Sequence, residues 1–244
     1  MSRYLTLTRS HTYSLLFALP LLLLYEVGAI YVARAEGSDL RNGADVLLRT
    51  LLAVGGVEGS AAVTLVVIGA AIAIVTLERR RRAVPVRLPP FIGMIIESVL
   101  YAALLGIVVG TTTRWIMEGI ALPLASAGPT SFSLAEGLVL SLGAGLYEEI
   151  VFRVLLVGGL FGVFRNSGLT AGRAGLFAII LSSLIFSGFH YIGPYGDDLA
   201  LPSFTFRFLA GIVFSGLFLT RGFGITAWTH ALYDVMLVLA VNST

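Results

Sequence analysis

The fold of this chain is decided by the stretch Leu146-Tyr147-Glu148-Glu149-Ile150-Val151-Phe152-Arg153-Val154-Leu155-Leu156. Three charged side chains, those of Glu148, Glu149 and Arg153, stand here within a longer apolar run. Ionisable groups at membrane depth are costly, and they normally face the interior of a helix bundle and serve a function. The stretch therefore predicts a membrane-spanning helix with one charged, functional face.

The rest of the chain is as apolar as this stretch. Of its 244 residues, 57% are hydrophobic and 12% are charged, whereas about a quarter of the residues in a typical soluble domain are charged. We expect an all-α, polytopic transmembrane helical bundle of about seven spans with an intramembrane active-site cavity. The apolar stretches with roughly the 20 residues that a span needs cover residues 12–33, 60–77, 91–112, 134–157, 174–193, 203–220 and 224–241.

Several signals predict where these helices begin and end. The first apolar run lacks a small-residue cleavage site, so we interpret it as a retained first helix and not as a signal peptide. The stretch Val46–Val54 is too short to cross; it is an interfacial or re-entrant piece, or an extension of the second helix. Ser133 and Glu136 have the spacing of a capping box at the start of the fourth helix. Gly158-Gly159 predicts its end or a weak point.

The placement of arginine predicts the orientation of the bundle. All 16 basic residues are arginine and the net charge is +2, and most of these arginines lie at predicted helix ends. The run Glu78-Arg79-Arg80-Arg81-Arg82 follows the second span and marks the cytoplasmic side. We expect a multi-pass protein of the bacterial cytoplasmic membrane, with the N-terminus inside, the C-terminus and the acidic turn 193–198 outside, and no nucleic-acid partner.

The two adjacent glutamates are expected to have different roles. Residues four apart share a helix face, whereas neighbours in sequence point about 100° apart. Glu149 and Arg153 are therefore expected to form an ion pair. Glu148 lacks that partner and is suited to accept a proton from water. The alternative is a purely structural charge cluster that joins helices.

Two further hydrophobic stretches each carry a histidine. His190 closes the fifth span, where it could also be an interfacial histidine with a structural hydrogen bond. His230 and Asp234 are four residues apart and can face one cavity. Asp234 could orient His230, or both could bind a metal ion. The chain has no cysteine, which excludes disulfides, iron–sulfur clusters and a thiol nucleophile.

The predicted helix ends do not place these groups at one depth. At about 1.5 Å per residue, Glu148 lies roughly 15 Å from the expected inner end of its helix, His190 roughly 24 Å and His230 roughly 9 Å. Tilted helices, a longer inner extension or different helix boundaries are needed to bring the three groups together.

Three motifs carry a resemblance to a known family. Glu148-Glu149-x-x-x-Arg153, Phe186-x-x-x-His190 and His230-x-x-x-Asp234, in this order, resemble the motifs of the CAAX protease and bacteriocin-processing (CPBP or Abi) family of intramembrane endopeptidases. The resemblance implies a catalytic core in residues 134–244. Residues 1–133 supply further transmembrane helices and loops of the same integrated membrane domain, and they carry no matching motif.

The resemblance also implies roles for individual residues. Glu148 activates water with help from His190, and His230 and the residue at position 234 stabilise the oxyanion of the tetrahedral intermediate. Glu149 and Arg153 support them. Relatives often have asparagine at position 234, whereas an ionised Asp234 would repel an oxyanion. Asp234 must therefore be protonated or act through His230.

A zinc-dependent form of the same chemistry is the first alternative. The family has been described both as metalloproteases and as metal-independent glutamic proteases, and we expect no cofactor. The nitrogen and oxygen ligands that zinc would take are Glu148, His190, His230 and Asp234.

The expected partners are membrane-anchored or exported protein substrates that are cleaved in a C-terminal tail or propeptide. A proton-coupled transporter is the second alternative, and a silent binding or immunity protein is the third. A transporter would need polar residues along a continuous path across the bilayer. The polar motifs instead cluster in the C-terminal half.

Other polar and small residues have structural interpretations. Glu26 and Glu97 are expected to pair with arginines across helices, with a cavity-lining role as the alternative. Gly143 and Gly145 favour close helix packing, and the alternative is space for substrate beside Glu148.

Overall fold

A computed structural model describes residues 3–37, 39–59, 61–120, 132–193 and 196–243. All regular secondary structure in these ranges is helical, which confirms the all-α prediction. The helices are α1 (Arg3–Thr8), α2 (His11–Ala35), α3 (Gly43–Val54), α4 (Ala62–Arg81), α5 (Leu88–Gly119), α6 (Leu134–Gly143), π1 (Ala144–Glu148), π2 (Ile150–Val157), α7 (Gly158–Asn166), α8 (Ala171–Phe189), α9 (Leu201–Arg221) and α10 (Phe223–Asn242). Pro194 and Tyr195 of the acidic turn lie outside the described residues.

Six of the described helices are long and apolar enough to cross a membrane, namely α2, α4, α5, α8, α9 and α10. The predicted fourth span, 134–157, lies in an uninterrupted helical stretch from α6 to α7 in which α and π geometry alternate. Large apolar side chains stay exposed along the outer faces of the bundle, as a lipid environment requires. The polytopic helical bundle is therefore confirmed.

Most predicted helix limits agree with the structure. The capping box of Ser133 and Glu136 is formed at the start of α6. Gly158-Gly159 is not an end, because the helix continues through α7 to Asn166; only the change from π to α geometry falls there. The short stretch near Val46 forms the separate helix α3 and not an extension of α4.

The corrected helix limits resolve much of the depth problem. Glu148 lies roughly 27 Å before Asn166, and His190 lies roughly 28 Å after Ala171, at about 1.5 Å per residue. The hairpin of α7 and α8 therefore brings the two groups to the same level. His230 is only roughly 10 Å from the start of α10, so the turn between α9 and α10 must lie nearer to the site than the turn between α7 and α8.

The core lies where α2, π1 and α10 meet, with Tyr25, Leu146, Tyr147, Ala227 and Ala231 among its buried members. A Cβ atom at Gly145 would collide with the carbonyl oxygen of Ala227 and with Ala231. Gly143 faces Tyr25 in the same way. The interpretation of these glycines as close-packing positions is confirmed, and the space beside them is filled by protein.

Candidate active site

Glu148 is the last residue of π1, and it is buried. Its Oε2 atom lies 3.8 Å from Nε2 of His190 and 3.9 Å from Nε2 of His230. Three groups that are far apart in sequence are thus brought together at one carboxylate oxygen. The helix has π geometry at this point, a rare form that is often found at functional sites.

The other oxygen of this carboxylate has a partner that the sequence did not indicate. Nδ2 of Asn42 donates a hydrogen bond to Oε1 of Glu148 at 2.9 Å. Asn42 is the N-cap of α3. Its residue type before a short helix is typical of a cap, but nothing in the sequence relates it to a glutamate 106 positions later.

His230 is oriented by Glu149. Its Nδ1 atom lies 2.7 Å from Oε1 of Glu149, and because a carboxylate only accepts, we assign the hydrogen to Nδ1. Asp234 instead lies on the other side of the ring, with Oδ2 3.5 Å from Nε2. Glu149 therefore holds the Nδ1 side of the ring, whereas Asp234 shares the Nε2 side with Glu148 and can influence His230 only from there.

The predicted pair of Glu149 and Arg153 is confirmed. Nη1 of Arg153 lies 3.1 Å from Oε1 of Glu149, and both side chains are buried. The N–H groups of the guanidinium do not point in hydrogen-bonding directions, so the contact is mainly electrostatic. The guanidinium also lies over the ring of Phe186 at 4.4 Å and over that of Phe214 at 5.2 Å.

The same two aromatic rings hold both imidazoles. His230 stacks on Phe214 with 4.4 Å between the ring centroids, and His190 meets Phe186 edge-on at 4.9 Å. Phe186 is part of a motif, whereas Phe214 stands in an ordinary apolar stretch of α9 and was missed. The rings of Phe186 and Phe214 thus contact the guanidinium of Arg153 and both imidazoles.

His190 occupies the C-cap of α8. Its Nδ1 atom lies 2.9 Å from the carbonyl oxygen of Phe186. A carbonyl only accepts, so we assign the hydrogen of the neutral ring to Nδ1, and Nε2 faces Glu148 as an acceptor. His190 and Asp234 have the most exposed side chains of the group, 25% and 28%, against 8% for Glu148. The site is therefore most open on the side of these two residues.

Charged residues elsewhere in the bundle have structural partners. Glu26 pairs with Arg41 at 2.9 Å, and Glu97 pairs with Arg221 at 2.8 Å, as predicted. Arg207 pairs with Asp197 and lies over the ring of Tyr191.

The imidazole nitrogens are spaced too far from Glu148 for a zinc site. With zinc–ligand bonds of about 2.0–2.1 Å, tetrahedral ligands lie about 3.4 Å apart, whereas the imidazole nitrogens lie 3.8 and 3.9 Å from Oε2 of Glu148. In the part of the chain that the structure describes, no group of three His, Cys, Asp or Glu residues is arranged to hold a metal ion. The residues therefore do not fit zinc as they stand.

Residues 130–236 match the model of a family described as Type II CAAX prenyl endopeptidase Rce1-like. The matched region contains all three motifs, and it confirms the resemblance to CAAX proteases that they indicated. The match supports a CAAX-type intramembrane endopeptidase. No curated protein and no solved structure matches the chain significantly.

Proposed function

We propose that this protein is an intramembrane endopeptidase that hydrolyses a peptide bond in membrane-associated or exported proteins, with Glu148 as the base that activates water. The observation that carries the proposal is the approach of Oε2 of Glu148 to the Nε2 atoms of both imidazoles. The site is open on the side of His190 and Asp234 and is backed by apolar protein. The apolar backing strengthens electrostatic interactions within the site.

The activation step follows from the two acceptors that face each other. Nε2 of neutral His190 and ionised Oε2 of Glu148 cannot donate to one another, but a water molecule can donate one hydrogen to each. Glu148 then takes a proton as the water oxygen attacks the peptide carbonyl. When the intermediate collapses, the C–N bond breaks and this proton passes to the departing amine, as general acid–base catalysis requires.

His230 is proposed to stabilise the oxyanion. Its Nδ1 hydrogen is engaged by Glu149, so the ring can donate from Nε2 only when both nitrogens are protonated. Glu149 on one side and Asp234 on the other favour this imidazolium. Asp234 thus acts through His230, which explains how an acidic residue can stand where relatives often have asparagine.

The proposed substrates are C-terminal tails or propeptides of membrane-anchored or exported proteins. The matched family is described by its action on prenylated CAAX tails, which is a eukaryotic task. This chain is proposed to act in a bacterial cytoplasmic membrane, with its N-terminus inside and its C-terminus outside. Residues 134–244 are proposed as its catalytic core and residues 1–133 as the N-terminal part of one integrated membrane domain.

The experiment compares the wild-type chain with Glu148→Gln in the same membranes. Termini of membrane proteins are mapped by proteomics with either form expressed, and the strongest hit is then cleaved by purified protein in nanodiscs. Glu148→Gln should lose at least about 100-fold in rate, the lower range for a general base, with an unchanged melting temperature. Glu118→Gln, at an exposed position near the end of α5, is the matched control. Turnover retained by Glu148→Gln would contradict the proposal.

A further inference from the structure

We infer that Asn42 is a positioning residue for Glu148, which holds one carboxylate oxygen so that the other faces the two imidazoles. The inference rests on the proposed function and extends it to the N-terminal part of the chain. Nδ2 of Asn42 donates to Oε1 of Glu148 at 2.9 Å, and the contact is buried. Asn42 lies outside the residues that match the family.

Asn42 is itself held in place on three sides. Its Oδ1 accepts from the backbone N–H of Ala44 at 2.9 Å, which leaves Nδ2 as the group that points to Glu148. Its backbone N–H donates to the hydroxyl of Tyr25 at 3.2 Å, and that hydroxyl donates to Asp45 at 2.8 Å. A Cβ atom at Gly143 would lie 2.8 Å from Cβ of Asn42, so α6 packs closely against it. A turn of the amide would break its bonds to Glu148 and to the N–H of Ala44.

The two oxygens of the Glu148 carboxylate therefore have different surroundings. Oε1 has its hydrogen bond from Asn42, whereas Oε2 is buried and has no hydrogen-bond partner among the described residues. Oε2 is also the atom nearest to both imidazoles. An amide donor fixes the carboxylate without adding a charge, so Glu148 can still gain and lose a proton.

Three variants separate this role from simple capping of α3. Asn42→Ser keeps an oxygen that can cap the helix but has no amide donor. Asn42→Asp keeps the shape and the cap but places a carboxylate beside Glu148. Asn42→Ala lacks both functions. We expect kcat of Asn42→Ser and Asn42→Ala to fall by roughly 10- to 100-fold, the loss typical of one hydrogen bond to a charged group, with little change in KM.

The pH profile gives a second readout that a cap would not move. Glu148 is faced by His190 from α8, by His230 and Asp234 from α10, and by Arg153 from its own helix. Asn42→Asp adds a like charge at hydrogen-bonding distance, which disfavours ionisation of both carboxylates. The acidic limb of kcat should therefore move to higher pH, further in Asn42→Asp than in Asn42→Ser.

A spectroscopic titration distinguishes failure of this inference from failure of the proposed function. The infrared carboxylate band that Glu148→Gln removes is followed against pH in the wild type and in Asn42→Asp. A band that titrates at higher pH in the variant supports the inference, even if the wild type cleaves nothing. A band that titrates at the wild-type pH in Asn42→Asp would overturn the inference. It would also be overturned if Asn42→Ser and Asn42→Asp kept the wild-type kcat and pH profile and only Asn42→Ala had a lower melting temperature.

Discussion

Oε1 of Glu149 accepts a hydrogen bond from Nδ1 of His230 at 2.7 Å. The same oxygen lies 3.1 Å from Nη1 of Arg153. One carboxylate oxygen therefore links a buried cation on its own helix to an imidazole on α10. The neighbouring Glu148 meets His230 on the opposite edge of the ring. Two adjacent glutamates thus reach the two nitrogens of one histidine.

Arg153→Ala should lower both stability and activity, because the buried carboxylate of Glu149 loses the guanidinium of its ion pair. Removing one partner of a buried ion pair typically costs about 3–5 kcal/mol, which should appear as a large drop in the melting temperature in nanodiscs. The matched control is the double variant Arg153→Met with Glu149→Gln, which should regain most of the stability but not the activity. A fully stable Arg153→Ala protein would contradict the stabilising role of the pair of Glu149 and Arg153.

Glu149→Gln should keep the shape around His230 but remove the negative charge that favours its imidazolium form. If the protonated ring of His230 is the active form, loss of the negative charge of Glu149 makes the ring lose its proton at a lower pH. The decrease of kcat with rising pH then begins at a lower pH. We expect the alkaline limb of the profile to move down and the rate at neutral pH to fall. An alkaline limb at the wild-type position would show that His230 does not act as a cation.

Chelation should leave the activity unchanged. The proposed mechanism places the proton on Glu148 and the oxyanion at His230, and it needs no metal ion. Purified protein is treated with a strong zinc chelator, its zinc content is measured by elemental analysis, and cleavage of the same substrate is followed. Zinc at unit stoichiometry together with lost activity, restored by added zinc, would establish the metalloprotease alternative.

The orientation can be tested with reporters at two ends of the bundle. A reporter fused after α10 should be active outside the cytoplasm, and one inserted after Arg82 should be active inside. The expectation rests on the arginine run that ends α4 and on the tendency of such runs to stay cytoplasmic. A cytoplasmic signal from the fusion after α10 would reverse the proposed topology.

The sequence could predict what depends on local spacing. The pair of Glu149 and Arg153 follows from residues four apart on one helix, and the capping box of Ser133 and Glu136 follows from backbone groups one turn apart. Composition and the length of apolar runs predicted the spans for the same reason, since each helix must satisfy its own backbone in lipid.

What the sequence could not predict depends on contacts between distant helices. Asn42 and Phe214 reach the site only because α3 and α9 pack against the motif helices, and their residue types have ordinary structural uses. The π geometry at Glu148 was also missed. The carbonyl oxygen of Phe152 in π2 accepts a hydrogen bond from the hydroxyl of Ser182 of α8 at 2.7 Å, a partner that no local pattern indicates.

The backing that α2 and α3 give to Glu148 comes from outside the family-matched part of the chain. Grafting the three motifs onto another helical scaffold would transfer the reacting groups but not the contacts that Asn42 and Tyr25 make behind Glu148. A survey that counts intact motifs would rank two homologues as equal even if only one of them has these contacts from α2 and α3. Sorting such homologues into active and inactive members requires inspection of what packs behind the glutamate.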